Sequence, residues 1–248
     1  MVNDVISFLS RKPFSIIGHR GAKGLGLDYE NTLKGISYAL NLGVDLVEVD
    51  VRLSKDKVPI ILHDEDFGRV ANVSLKPRDM LYDEIKLKIR IGGTEPVPSL
   101  REVLECVNGQ SGLFIEIKEP EAVNPVLNVL KEYKYPEWVA IVSFHEEVLE
   151  KIAYMKPEIV TGLIYAKPPG KIVEAKKLKA KIVLPHFRLA TAKAVAFAHK
   201  LKLKVVAWTV NEPGQIIKLA VNKVDAIATD YPKTALEVRK KIVTSFSS

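Results

Sequence analysis

Short apolar runs alternate with amphipathic segments along most of the chain. The runs are nearly continuous in Val, Ile, Leu and Ala, which is typical of strands buried on both faces of a parallel sheet. Between them, apolar residues recur at helical spacing. The predicted strands cover residues 14–18, 45–53, 113–117, 139–142, 159–164, 182–184, 205–208 and 226–228. Each is followed by a predicted helix, over residues 31–41, 99–106, 123–133, 146–155, 172–178, 190–201, 212–220 and 233–243. Eight such units in 248 residues predict an α/β fold of the (β/α)8 TIM-barrel type, since that fold takes about 250 residues.

One segment, between the second strand and its helix, departs from this alternation. Residues 58–62 form a further strand-like run that follows residue 53 too closely for a crossover helix, so we expect it to lie outside the barrel. Residues 68–98 have weak periodicity, two adjacent glycines and several prolines, a composition that predicts little regular structure. We therefore expect one domain over residues 1–248, with a small insertion at about residues 53–98.

The charge balance narrows the classes of partner. The net charge is +7, from 37 Lys and Arg against 30 Asp and Glu. Lysine-rich stretches at residues 171–181 and 200–204 contain no aromatic residues, which favours a solvated surface over a nucleic-acid site. No apolar run approaches the roughly 20 residues that a membrane span needs. We expect no nucleic-acid partner and no stable membrane insertion.

The beginning of the chain and its cysteine content bear on the compartment. Residues 1–10 lack a basic leader, a long apolar core and a small-residue cleavage site, which argues against a signal peptide. Cys106 is the only cysteine, so an intrachain disulfide is impossible and nothing favours an oxidising compartment. We expect a cytoplasmic protein.

Charged motifs stand where four of the apolar runs end. The motifs are His19-Arg20-Gly21, Glu48-Val49-Asp50, His63-Asp64 and Glu116-Ile117-Lys118. Because barrel enzymes carry their chemistry at the C-terminal ends of the strands, we expect these motifs to form one site. The set combines carboxylates, imidazoles and cationic side chains, which suits metal-assisted phosphodiester chemistry.

Three carboxylates are the candidate metal ligands. Glu48 and Asp50 are two apart on a strand, so their side chains share one face, while the opposite face carries valines. Two unpaired carboxylates on a buried strand would be costly without a cation between them. Glu116 ends another strand and is the natural third ligand. A site of oxygen ligands alone favours Mg²⁺ or Ca²⁺ over zinc, with Mn²⁺ as a further candidate.

The histidines and cations at these strand ends have candidate roles in catalysis. His19 and His63 can supply a neutral base and a cationic acid near neutral pH. Arg20 and Lys118 can hold a phosphate, and Asp64 either orients a neighbouring group or is a loop carboxylate.

The remaining candidates leave alternatives open. Glu30 is either a ligand or a partner for Arg20, and either Asn31 or Thr32 is interpreted as a helix N-cap. Trp208 either forms an apolar wall for the alcohol part of a substrate or belongs to the core.

Seven motifs together resemble the glycerophosphodiester phosphodiesterases. They are His19-Arg20-Gly21, Tyr29-Glu30-Asn31-Thr32, Glu48-Val49-Asp50-Val51, His63-Asp64, Glu116-Ile117-Lys118, Trp208-Thr209-Val210-Asn211 and Thr229-Asp230-Tyr231-Pro232. They follow the family's order over nearly the whole chain, and Tyr29 departs from the proline that is usual before Glu-Asn-Thr.

The resemblance implies a TIM barrel that hydrolyses glycerophosphodiesters to glycerol phosphate and an alcohol, using Mg²⁺ or Ca²⁺. It implies Glu48, Asp50 and Glu116 as metal ligands with Glu30 nearby. It further implies His19 and His63 as the acid–base pair, and Arg20 and Lys118 as phosphate contacts.

Three alternative functions are considered. A lysophospholipase D would use the same residues with an apolar surface for the lipid. A phosphate-binding barrel of central metabolism would lack this combination of carboxylates and histidines. A non-catalytic binding module would be expected to have lost one of these residues, and all of them are present.

Overall fold

The computed structural model describes residues 4–245, in which strands and helices alternate. In chain order the strands are β1 (Ser15–Gly18), β2 (Leu46–Leu53), β3 (Pro59–Ile61), β4 (Arg90–Ile91), β5 (Glu95–Pro96), β6 (Gly112–Ile117), β7 (Val139–Ser143), β8 (Val160–Tyr165), β9 (Ile182–Pro185), β10 (Lys204–Ala207) and β11 (Ala226–Thr229). The α-helices are α1 (Val5–Phe8), α2 (Leu33–Leu42), α3 (Gly68–Ala71), α4 (Tyr82–Lys88), α5 (Leu100–Val107), α6 (Val123–Leu130), α7 (Glu146–Met155), α8 (Ile172–Lys177), α9 (Ala192–Lys200), α10 (Pro213–Val221) and α11 (Pro232–Ser245).

Eight of these strands close into a parallel barrel. Around the ring the order is β1, β2, β6, β7, β8, β9, β10 and β11, and β1 pairs with both β2 and β11. The pairing of β1 with β11 runs from Ser15 opposite Ala226 to Gly18 opposite Thr229. The predicted TIM barrel is therefore confirmed, and the C-terminal ends of all eight strands surround one opening, here called the mouth.

The apolar core has an outer and an inner layer. Val47, Val49 and Val51 of β2 pack into the layer between the strands and the helices. The alternate residue Leu46 points into the barrel, where it packs with Val5 of α1 in the inner layer. Since side chains alternate along a strand, this placement also turns Glu48 and Asp50 inward.

The insertion between β2 and α5 is more ordered than the sequence suggested. β3 pairs antiparallel with β2, and β4 and β5 form a small hairpin. Helices α3 and α4 lie between β3 and β4 in the chain. The insertion has its own apolar cluster, made of Ile60, Leu62, Phe67, Val70, Met80, Ile85, Ile89, Ile91 and Val97. The prediction of little regular structure at residues 68–98 is wrong, because elements of two to seven residues are too short to show a periodicity.

Among the described residues, no helix has the length and the apolar character required to cross a membrane.

Candidate active site

A cavity of about 330 Å³ lies at the mouth of the barrel, and its wall has two unlike halves. The charged half is lined by His19, Arg20, Lys23, Glu48, His63, Glu116 and Lys118. The other half is lined by Val142, Phe144, Ile164, Leu184, Val206 and Trp208. The structure thus brings the predicted strand-end motifs together, and it places an apolar surface opposite them.

Glu48, Asp50 and Glu116 converge at the base of the charged half. Each offers a carboxylate oxygen, and these oxygens lie within 4.8 Å of one another. The cause is register, because Asp50 on β2 stands directly opposite Glu116 on β6. All three are buried, and Oε1 of Glu48 has no hydrogen-bond partner among the described residues.

The pKa values of these carboxyl groups show that burial and mutual repulsion disfavour having all three ionised at once. Burial raises the pKa of Glu48 well above its ordinary value, and the charges of Asp50 and Glu116 raise it further. Burial likewise raises the pKa of Glu116, to about 7, despite the opposing effect of Lys118. Only Asp50 keeps a lowered pKa, because the cationic Lys118 and Arg20 outweigh its burial. A hard divalent cation would favour the ionised form of all three, so this oxygen-only set fits such an ion.

The two predicted phosphate contacts lie at the edge of the carboxylate cluster. Nζ of Lys118 is 2.8 Å from Oδ1 of Asp50 and also contacts Glu116. Nε of Arg20 is 3.1 Å from Oδ2 of Asp50, and its backbone N–H donates to Glu48 at 2.9 Å. Both cations therefore reach the cavity while neutralising part of the carboxylate charge.

His19 is held by a carboxylate from the opposite end of the chain. Its Nδ1 lies 2.6 Å from Oδ1 of Asp230, which follows β11. Nδ2 of Asn211 donates to the other Asp230 oxygen at 2.8 Å, and the Asp230 backbone N–H donates to Asn211 at 2.9 Å. Burial lowers the pKa of His19, against the hydrogen bond to Asp230, which raises it. Asp230 and Asn211 have no role predicted from the sequence, although both follow strands.

His63 is held in a similar way, within the insertion. Its Nδ1 lies 2.7 Å from Oδ1 of Asp64. Of the two roles considered for Asp64, an orienting group or a loop carboxylate, the structure favours the first. Nε of Arg69 on α3 donates to the other Asp64 oxygen at 2.7 Å, and Nε of Arg52 donates to the His63 carbonyl at 3.0 Å. Partial burial lowers the pKa of His63 and outweighs the charge of Asp50, which raises it.

The structure decides the roles of Glu30 and Asn31, which the sequence left open. Glu30 lies outside the three-carboxylate cluster and accepts hydrogen bonds from both Arg20 and Arg69, so it is a partner of arginines. Thr32 caps α2 through the Gly35 N–H, as expected. Of the two N-cap candidates, Asn31 has a different role: its Nδ2 donates to Oδ2 of Asp50 at 2.8 Å, and its φ is 54°, a conformation that asparagine tolerates.

The apolar half of the wall centres on Trp208. Its indole N–H donates to the Leu184 carbonyl at 2.7 Å, so the donor is already engaged and the ring offers the cavity an apolar face. Phe144, which follows β7 and was not identified from the sequence, stands edge-on to Trp208 with ring centroids 5.5 Å apart. Phe144 is 41% exposed, which is high for an aromatic side chain. A bound substrate could cover this exposed surface.

Comparisons with known proteins agree with this arrangement. The glycerophosphoryl diester phosphodiesterase family matches residues 19–234. A glycerophosphodiester phosphodiesterase of Caldanaerobacter subterraneus subsp. tengcongensis is 30% identical over 91% of this chain and 98% of its own.

Two solved structures are also similar. A phosphodiesterase of Oleispira antarctica, in complex with the product sn-glycerol-3-phosphate, has a TM-score of 0.83 and 26% identity over 90% of this chain and 96% of its own. A glycerophosphodiester phosphodiesterase of Thermotoga maritima has a TM-score of 0.76 and 26% identity over 91% and 98%. Because the family match spans most of the chain and the curated relative is 30% identical over nearly its whole length, the chain belongs to the glycerophosphoryl diester phosphodiesterase family of enzymes.

Proposed function

We propose that this enzyme hydrolyses glycerophosphodiesters to glycerol phosphate and an alcohol, in a reaction that needs one divalent cation and two histidines. The observation that carries the proposal is that three buried carboxylates converge at a cavity lined by two imidazoles, and each imidazole is held by its own aspartate. The product bound to the Oleispira antarctica relative supports glycerol phosphate as one product.

Glu48, Asp50 and Glu116 would hold the cation, which would be Mg²⁺, Ca²⁺ or Mn²⁺. When bound, such an ion neutralises the charge that develops on the phosphate oxygens during the displacement. Arg20 and Lys118 add fixed positive charge on the same side of the cavity, where they would hold the phosphate.

His19 and His63 would act as the acid–base pair. The Nδ1 atom of each ring is engaged by an aspartate, so the Nε2 atom is left to exchange a proton with the substrate. One histidine would take the proton of the attacking oxygen, which is either water or the glycerol hydroxyl beside the phosphate. The other would protonate the departing alkoxide.

The apolar half of the cavity supports a second candidate, hydrolysis of lysophospholipids. Phe144, Ile164, Leu184 and Trp208 line it, and such a surface suits an acyl chain as well as a small alcohol.

The deciding experiment offers the purified enzyme glycerophosphocholine, glycerophosphoethanolamine, glycerophosphoglycerol and lysophosphatidylcholine, each with and without a chelator. We expect metal-dependent release of glycerol phosphate from the first three. Release of choline and lysophosphatidic acid from lysophosphatidylcholine at a higher kcat/KM would favour the second candidate. Absence of hydrolysis in every arm with Mg²⁺, Ca²⁺ or Mn²⁺ present would refute both.

A further inference from the structure

Arg69 lies on the insertion and contacts two separate parts of the site. Its Nη1 and Nη2 atoms donate to the two oxygens of Glu30 at 2.7 and 2.8 Å. Its Nε donates to Oδ2 of Asp64 at 2.7 Å. One planar guanidinium therefore bridges two carboxylates that come from different loops of the mouth.

Each of these carboxylates holds a residue of the proposed reaction. Asp64 binds Nδ1 of His63 at 2.7 Å, and Glu30 binds the guanidinium of Arg20. Glu30 is only 2% exposed, whereas the Arg69 side chain is 42% exposed. The buried Glu30 and the partly exposed Asp64 are thus joined by a group that reaches in from the surface.

Arg69 is not one of the described residues that line the cavity. Its described contacts are with Glu30 and Asp64, so it is placed to set the geometry of the residues that these two carboxylates hold. We propose that Arg69 is a positioning residue that fixes His63 through Asp64 and Arg20 through Glu30, so that the insertion completes the active site. This inference rests on the proposed function for His63 and Arg20.

The test compares Arg69→Ala and Arg69→Lys with the wild type. Lysine keeps the charge but has one nitrogen, so it cannot bridge both carboxylates in the same way. Because a small misplacement of a reacting group is costly, we expect kcat to fall roughly 10- to 100-fold in both variants. KM should change by less than about threefold, because Arg20 keeps its contacts with Asp50 and Glu48 when Arg69 is replaced. Millimolar guanidinium should restore part of the turnover of Arg69→Ala, because the vacated position is open to solvent.

A matched control separates this role from simple attachment of the insertion. Lys86 on α4 pairs with Glu102 on α5 and so links the insertion to the barrel without touching the cavity. We expect Lys86→Ala to lower the melting temperature and to leave kcat and KM unchanged.

A second readout does not depend on activity. Histidine-ring ¹H–¹⁵N spectra should show the His63 signals shifted or broadened in Arg69→Ala and unchanged in Lys86→Ala. If the His63 signals are unchanged in Arg69→Ala, or kcat stays within threefold of the wild type, the inference is wrong. A wild type that hydrolyses no diester would instead contradict the proposed function, while the spectra still decide whether Arg69 holds His63.

Discussion

Nδ1 of His19 and Oδ1 of Asp230 lie 2.6 Å apart, although the two residues are separated by 211 positions in the chain. They meet because β1 and β11 are neighbours in the closed barrel. Burial would raise the pKa of the Asp230 carboxyl, but the hydrogen bonds from His19 and Asn211 lower it. Asp230 is therefore ionised near neutral pH, and it fixes the proton of His19 on Nδ1.

Asp230→Asn should impair catalysis without disturbing the fold. The amide keeps the size of the side chain but cannot stabilise the imidazolium or enforce its tautomer. We expect kcat to fall by at least about 100-fold, measured by glycerol phosphate release. Asp83→Asn, at an exposed position of α4, should retain wild-type turnover. Near-normal kcat in Asp230→Asn would mean that this contact is structural.

Metal binding should depend on the carboxylate cluster. A ligand at 100 times its Kd contributes about 2.7 kcal/mol to the native state, which corresponds to about 5–10 °C in Tm for a chain of this size. We expect Mg²⁺, Mn²⁺ or Ca²⁺ to raise the Tm of the chelator-treated enzyme and to restore activity. Glu48→Gln should lose both effects, whereas Glu132→Gln, whose side chain is exposed, should keep them. Full activity in metal-stripped protein would contradict the metal proposal.

The histidines should be individually required. His19→Ala and His63→Ala should each lower kcat by about 100-fold or more, since general acid–base catalysis supplies that much. The wild-type pH–rate profile should be bell-shaped, because the two groups must hold opposite protonation states. His145→Ala serves as a control, since His145 is exposed. Either variant with near-wild-type turnover would remove that histidine from the mechanism.

The stability that Glu102 gives by joining the insertion to α5 should decrease in acid. Partial burial would raise the pKa of Glu102, but hydrogen bonds from Lys86, Tyr82 and Ser99 outweigh it and lower that pKa to about 2. A carboxyl with a lowered pKa stabilises the fold above its unfolded-state pKa, and the stabilisation is lost as pH falls toward its folded-state pKa.

Glu102→Gln should therefore destabilise the protein by about 1 kcal/mol at pH 7, after allowance for solvent screening. Urea unfolding at a series of pH values should show this difference shrinking between about pH 4.5 and 2. A difference in the free energy of unfolding that is independent of pH would contradict this explanation.

The enzyme should discriminate only weakly among the alcohols of its diester substrates. The indole N–H of Trp208 is already bonded to Leu184, and its neighbour Phe144 is apolar, so this half of the wall offers few directed hydrogen bonds. We expect the kcat/KM values for choline, ethanolamine and glycerol diesters to lie within about 100-fold of one another. Discrimination beyond about 10⁴-fold would require a buried hydrogen-bonding group on that side.

The barrel could be predicted because its signals are local. The strands are mostly apolar runs and the longer helices have a clear period, so the predicted bounds of β2 and α5 lie within one residue of the observed ones. The inward face of Glu48 and Asp50 follows from the alternation of side chains along a strand, which needs no tertiary information.

Contacts across the mouth could not be predicted in this way. Asn31 has the chemistry of an N-cap, and only the approach of α2 to β2 shows that its amide binds Asp50. Arg69 lies on a four-residue helix in a segment without periodicity, so nothing in its neighbourhood indicates that it faces Glu30. Asp230 does follow a strand, and the rule that identified Glu116 would have found it.

Closure of the ring has a consequence for how the enzyme is made. Translation delivers β1 early and β11 late, and the hydrogen bonds between them extend from Ser15 to Thr229. A nascent chain that ends before residue 230 already carries the three clustered carboxylates and both histidines of the mouth. It lacks the carboxylate that orients His19. Under the proposed mechanism, the proton-transfer pair is therefore complete only when nearly the whole barrel has been synthesised, and loss of β11 by proteolysis would return the enzyme to that incomplete state.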